Sequence, residues 1–225
     1  MDDLARRALI GLAKFQLVLA ALLFLPAWSL SYRQGWICWA LYFICSLVLT
    51  LYFLRHEPAL VERRMTVGPT AEKETSQKRI QTAASVFVCA VFVVSAVDHN
   101  FRWSTLPRSV ELAGDALVVI GFAVMFLAFR ANAFAAATVA VEAEQKVVST
   151  GLYALVRHPM YSGALLLFVG TPLALGSWFG LVPAACLAAT IVWRLIDEEA
   201  YLARNLAGYQ DYRGKVTSRL VPGLW

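Results

Sequence analysis

Trp36–Leu54 reads WICWALYFICSLVLTLYFL, a stretch with no charged residue and with Ser46 and Thr50 as its scattered hydroxyls. A helix buried in a soluble core still shows a polar face at 3.6-residue spacing, and this stretch has none. A helix needs roughly 20 predominantly apolar residues to cross the hydrocarbon of a bilayer, so the stretch predicts a membrane span. Ile80–Val97 and Met160–Trp193 are also free of charge. Leu17–Leu30 reaches spanning length only by including Lys14, whose stem can snorkel to the interface, and Ala116–Phe129 only by including Asp115. The whole chain of 225 residues is 60% hydrophobic and 16% charged, with mean hydropathy +0.62. Globular chains run nearer 45–50% apolar, so lipid must cover what a single core cannot.

Met160–Trp193 is too long for one span and slightly short for two, with a break at Gly176-Ser177 before Trp178. It predicts a helical hairpin. Lys and Arg are enriched in cytoplasmic loops, which orients the chain. With the N-terminus inside, 17 of the 20 Lys and Arg lie on the cytoplasmic side and only Arg33, Arg102 and Arg108 outside. The hairpin returns the chain to that side, so both termini are expected in the cytoplasm. The net charge of +5 then describes loops facing anionic lipid heads more than a nucleic-acid surface. Leu17–Leu30 outlasts the apolar core of a signal peptide and is followed by further spans, so it reads as a signal anchor. Cys38, Cys45, Cys89 and Cys186 all sit in apolar runs without C-x-x-C spacing or paired histidines; they read as small buried residues, and no metal site is expected.

Two cytoplasmic segments differ in kind. Residues 55–79 mix both charge signs with Pro58, Gly68 and Pro69, and read as a connector with one short helix. Residues 130–161 gather Glu142, Glu144, Gln145, Lys146 and then Arg157-His158-Pro159 at the mouth of the hairpin. The far end of the hairpin carries Arg194, Asp197, Glu198 and Glu199 to the same interface. Arg194 and Glu198 stand four apart on one helix face, able to pair with each other or to meet a zwitterion together. Pro159 starts a helix at no cost, because its missing N–H is one of the unpaired donors there. His158 lies just outside that start, which offers free N–H groups to an anion. After Glu199 the sequence reads as a surface-lying amphipathic helix, a break at Gly208 and an irregular tail with Pro222.

Gly151-Leu152-Tyr153, Val156-Arg157-His158-Pro159-Met160-Tyr161-Ser162-Gly163, Glu198-Glu199-x-x-Leu202, Gly208-Tyr209-x-x-Tyr212 and Arg219-x-x-Pro222 occur in this order. The pattern resembles the isoprenylcysteine carboxyl methyltransferase and phospholipid methyltransferase group over residues 140–225. The resemblance implies S-adenosyl-L-methionine as methyl donor, bound at the cytoplasmic mouth. By motif position, Gln145, Lys146, Val147, Val148 and Tyr153 would line this cofactor. His158, Pro159, Met160 and Tyr161 would hold its methionine end, and Glu198, with Glu199 beside it, would accept its ammonium. Arg194 and Arg157 would meet the substrate and act in catalysis. The chain has no G-x-G fingerprint and no alternation of strands with helices, so a Rossmann-type methyltransferase is not expected.

The expected fold is an all-α, polytopic integral membrane bundle of about six spans. Residues 1–130 would form four transmembrane helices with the loop 55–79, and residues 131–225 a catalytic region with a cofactor loop, the hairpin 159–194 and a cytoplasmic tail. The expected activity is methyl transfer to a lipophilic acceptor, foremost a carboxylate of an isoprenylcysteine-like molecule. Two other classes compete: a lipid amine or thiol methyltransferase, and a sterol-type membrane reductase using NADPH. A transporter would place ionisable groups at mid-membrane, and only Asp115 and Lys14 lean that way.

Overall fold

The computed structural model describes residues 3–65, 70, 72, 74–134 and 146–225. Among them the chain forms α1 (Asp3–Ala27), α2 (Arg33–His56), α3 (Pro58–Met65), α4 (Thr75–Phe101), α5 (Arg108–Ala131), a 3-10 turn at Gly151–Ala154, α6 (Pro159–Ala174), α7 (Leu181–Asn205) and α8 (Tyr209–Lys215), with no strand. The protein is all-α, and α1, α2, α4 and α5 are long and apolar enough to cross a membrane. Only 17–33% of each of their apolar windows is buried inside the bundle. Side chains such as Leu17, Leu25 and Val86 point outward, an arrangement that lipid rather than water satisfies. This is an integral membrane protein.

Polar groups turn inward, where the helices meet. Gln16 Nε2 donates to Ser46 Oγ at 3.1 Å, Tyr42 shares a 2.7 Å bond with Thr171, and the Tyr32 hydroxyl donates to Leu175 O at 2.8 Å. At one end of the bundle the connections after α1, α4 and α6 converge. There the buried Asp98 accepts from Ser104 N at 2.7 Å, from Ser104 Oγ at 2.6 Å and from Ser177 Oγ at 2.5 Å. Its carboxylate ties the α4–α5 turn to the α6–α7 turn. The turn at residues 175–180 thus lies level with the α1–α2 and α4–α5 connections.

The closest helix pair is α5 against α6, running antiparallel. A Cβ built at Gly114 would lie 2.2 Å from Ala174 N, and one at Gly121 would lie 2.7 Å from Gly163 O. Gly163 and Gly170 face α5 from α6: a Cβ built at either would lie within 2.8 Å of atoms of α5. Small residues bring two backbones into contact where no hydrophobic force separates protein from lipid. This seam sets the level of Pro159 against the end of α5.

Four expectations change in detail. α1 starts at Asp3 instead of near Leu17, so its charged first half, including Lys14, is continuous with the apolar run. The amphipathic stretch after Glu199 is the last part of α7 and not a separate helix; the chain breaks only at Gly208, whose φ of 80° suits glycine, before α8. α6 has 16 residues, about 24 Å at 1.5 Å each, and is shorter than the four long helices. The segment 55–79 is more than a connector, because α3 and Glu72 reach the hairpin mouth.

Gly114→Ala is expected to lower the thermal midpoint in detergent, since the added methyl meets rigid backbone. Gly11→Ala, with open space around its Cβ position, is expected to leave the midpoint unchanged or raise it, since alanine is favoured in a helix by up to about 1 kcal/mol. Equal midpoints for the two variants would contradict the seam.

Candidate active site

Val156-Arg157-His158-Pro159 brings the chain to α6 with Pro159 at the first helical position and His158 as its N-terminal cap. The backbone there pairs with the tail: Arg157 N donates to Ser218 O and His158 N to Arg219 O, both at 3.0 Å. α7 comes back to this point from the far end of the bundle and sets Glu199 beneath it. Arg157 Nε donates to Glu199 Oε1 at 2.6 Å, His158 Nε2 lies 3.2 Å from the same oxygen, and Arg219 Nε donates to Oε2 at 3.1 Å. Arg157 Nη1 also bonds the carbonyls of Val216 and Thr217, each at 2.7 Å. The residues expected to face each other across the mouth are therefore in direct contact.

Glu199 is buried with its side chain 4% exposed. Burial alone would push its carboxyl up, but hydrogen bonds from His158, Arg157 and Arg219 outweigh it and hold the group well below the usual carboxylate range. Such a group fixes geometry more readily than it receives a ligand. Arg157, buried and engaged by the tail, has the same character.

A second cluster lies one helical turn along. The Tyr161 hydroxyl donates to Glu198 Oε2 at 2.5 Å and accepts from Arg194 Nε at 3.0 Å. Arg194 Nη1 donates to Gln81 Oε1 at 2.6 Å and Nη2 to Glu72 Oε1 at 2.8 Å. Arg194 and Glu198 share a face of α7, but Tyr161 stands between them. Beside them, Gln77 Nε2 and Ser76 Oγ from α4 hold Asp197.

Met160 turns the other way. Its sulfur lies 3.6 Å from Arg64 Nη1 of α3, and the Arg64 guanidinium sits 4.1 Å from the centroid of the Phe129 ring. Arg64 also lines a cavity of about 430 Å³ whose walls are mostly apolar residues of α1, α2, α3 and α5, among them Leu12, Leu49, Phe53, Leu60 and Met125. Its size falls within the range of about 300–1,000 Å³ typical of small-molecule sites.

Of the cofactor-loop residues, Gln145 lies outside the described residues. Lys146 is exposed, Val147 packs near Leu202 and Leu206, and Val148 is half-buried. Tyr153 O accepts from the Tyr212 hydroxyl at 2.7 Å, and burial pushes the Tyr153 hydroxyl up to about 12. Pro159 is buried at the start of α6. The sequence reading did not single out Arg64, Glu72, Gln77, Gln81, Arg219 or Tyr209 as site residues. Gln77 and Gln81 carried a faint signal, a polar pair four apart where an apolar run begins. The charges of segment 55–79 carried none that separates a site from a solvated loop.

The donor proposed on sequence grounds is a zwitterion joined to a nucleoside. A partly exposed carboxylate, Glu198, fits its ammonium, and the described residues around it include a buried hydroxyl without a hydrogen-bond partner, Tyr209. The residues present fit such a group.

Comparison with known proteins bears on the same region. The phospholipid methyltransferase family model matches residues 110–208, from α5 through α7 to the Gly208 break. A protein-S-isoprenylcysteine O-methyltransferase of Schizosaccharomyces pombe is 36% identical over 78 residues, 32% of this chain and 31% of that protein. Probable protein-S-isoprenylcysteine O-methyltransferases of Oryza sativa subsp. indica and japonica are each 36% identical over 86 residues, 35% of this chain and 42% of theirs. The aligned region thus spans about a third to two fifths of the length of these curated relatives. No solved structure matches.

Glu199→Gln is expected to cost about 3–5 kcal/mol, because Arg157 and Arg219 lose a buried counter-charge. In the native chain the depressed Glu199 carboxyl contributes stability that is fully present above the usual carboxylate range and is lost as pH falls toward its native value. Thermal midpoints in detergent should therefore fall on acidification more steeply for the native chain than for Glu199→Gln. Parallel acid limbs would contradict the assignment.

Proposed function

We propose that the chain, whose residues 110–208 match the phospholipid methyltransferase family model, is a membrane-integral, S-adenosylmethionine-dependent methyltransferase acting on a lipophilic acceptor. The acceptor group we propose is a carboxylate of an isoprenylcysteine-like molecule, and the product a methyl ester. The observation that carries this reading is the largely apolar cavity that Arg64 lines, with Arg64 in turn against Met160 of the Arg-His-Pro-Met-Tyr stretch. A greasy tail fits its walls and an anionic head fits beside Arg64. The family description by itself favours a lipid amine, but an ammonium head would meet Arg64 as a like charge.

S-adenosylmethionine, when bound, supplies an electrophilic methyl group on a sulfonium. The chain's own part is positioning. Glu198, aimed by Tyr161, would hold the donor's ammonium, with His158 to Tyr161 at its methionine end and Lys146, Val147, Val148 and Tyr153 along its length; the same role is proposed for Gln145 from its place in the motif alone. A carboxylate acceptor is ionised at neutral pH, so no general base is required. Arg64 and Arg194 orient it, Arg194 through the guanidinium edge that now holds Glu72. Alignment and fixed charge then supply the rate enhancement. Arg157 acts through Glu199 as a positioning residue, and Glu199 through His158.

In this reading α6 and α7 form a full hairpin and bring the number of spans to six, supported by the turn at 175–180 meeting the other two connections at one end. The termini and the site face the cytoplasm, on the side holding 17 of the 20 Lys and Arg. The four N-terminal helices serve the acceptor, and residues 131–225 the donor. The family match favours methyl over hydride transfer, against the sterol-type reductase.

Incubation of the purified protein with methyl-labelled S-adenosylmethionine and a membrane extract is expected to yield label that base releases as volatile methanol; label stable to base would sink the ester and favour an amine or thiol acceptor. Arg64→Ala is expected to raise the acceptor KM about 10- to 100-fold while S-adenosylhomocysteine affinity stays the same. A parallel loss of both would move Arg64 to the donor side.

A further inference from the structure

Tyr209 opens α8, directly after the left-handed Gly208, and its ring is 4% exposed within a cluster of Leu206, Tyr212 and Val216. Val147, Leu202 and Ala203 pack against that cluster. Tyr212, one turn along the helix, spends its hydroxyl on Tyr153 O. The Tyr209 hydroxyl is buried and has no hydrogen-bond partner among the described residues. A buried phenol without a partner forfeits about 1–3 kcal/mol of desolvation, so its persistence calls for a partner that arrives.

The surroundings say what kind of partner. Glu199, Glu198 and Arg157 all lie close enough for their charges to act on this hydroxyl. Glu199 and Arg157 are consumed by their own cluster, and Glu198 is the carboxylate left to face a ligand. An amino-acid ligand whose ammonium sits on Glu198 brings a carboxylate that needs a donor nearby, and a phenol O–H is a donor of the right kind.

We propose that Tyr209 binds the donor, giving its hydroxyl proton as a hydrogen bond to the carboxylate of the methionine end. This rests on the methyltransferase reading above and adds a donor contact from α8. It also gives the tail a role in recognition, since α8, packed against Leu202 and Ala203 of α7, then contacts the donor. The bond is to a charged acceptor in a buried place, where loss of the donor group weakens binding roughly tenfold.

The test uses the full chain in detergent, with S-adenosylhomocysteine and its decarboxylated analogue, which keeps the amine, as titration probes. Tyr209→Phe keeps the ring and removes the hydroxyl. The expected result is about tenfold weaker binding of S-adenosylhomocysteine, unchanged binding of the decarboxylated analogue, and a ligand-free thermal midpoint that is the same or higher. A purely structural hydroxyl would instead lower the ligand-free midpoint and leave the difference between the two probes unchanged; that outcome overturns the proposal. Equal loss of affinity for both probes overturns it too. If the native chain binds neither probe, the methyltransferase reading falls and this inference with it; if the native chain binds S-adenosylhomocysteine and Tyr209→Phe binds it equally well, the inference alone falls.

Discussion

One buried carboxylate sets the geometry of the cytoplasmic end as proposed. Glu199 receives Arg157 from the approach to α6, His158 from its cap and Arg219 from the tail, all within 3.2 Å. Arg157 and His158 come 42 and 41 residues before Glu199 in sequence and Arg219 comes 20 after it, so the carboxylate joins three separate stretches of chain. Carrying an ion pair out of water costs several kcal/mol per charge, so the cluster holds only because every partner is present. With Glu199 fixed, the neighbouring Glu198 lies on the face of α7 that meets Tyr161, and Arg194 one turn back meets the same hydroxyl. Site and scaffold are adjacent residues of one helix.

The bundle that delivers α7 to that point is held by two other means. Apolar side chains outside are neutral between lipid and protein, so they supply little direction. Direction comes from glycines that let α5 and α6 touch and from inward polar contacts such as Asp98 with Ser104 and Ser177. The seam fixes Pro159 in height and the Asp98 cluster fixes the turn at the opposite end. A hairpin anchored at both ends presents its mouth rigidly, which the proposed methyl transfer by alignment requires.

Much of this was legible in the residues. Charge-free runs such as Trp36–Leu54 announce spans because hydrocarbon tolerates little else. The spacing from Arg157-His158-Pro159 to Glu198-Glu199 places two polar groups at one mouth by topology alone. What stayed hidden depends on distant pairing. Sequence cannot say that Glu199 turns inward to arginines while Glu198 turns to Tyr161, since both are acids at the same interface. Glu72 and Arg64 lie in a mixed-charge segment with the composition of any solvated loop, and only the folded chain brings them to Arg194 and Met160. The start of α1 at Asp3, well before Lys14, also stayed hidden, because a helix that leaves the membrane needs no break to do so.

The proposed division of labour between the two acids is central: Glu199 holds the surrounding segments together, and Glu198 is proposed to receive the donor. Isothermal titration of S-adenosylhomocysteine into the detergent-solubilised native chain and Glu198→Gln, with thermal midpoints recorded alongside, measures it directly. The account requires binding by the native chain and a loss of at least about tenfold in Glu198→Gln at an unchanged midpoint. Native-like affinity in Glu198→Gln would contradict it.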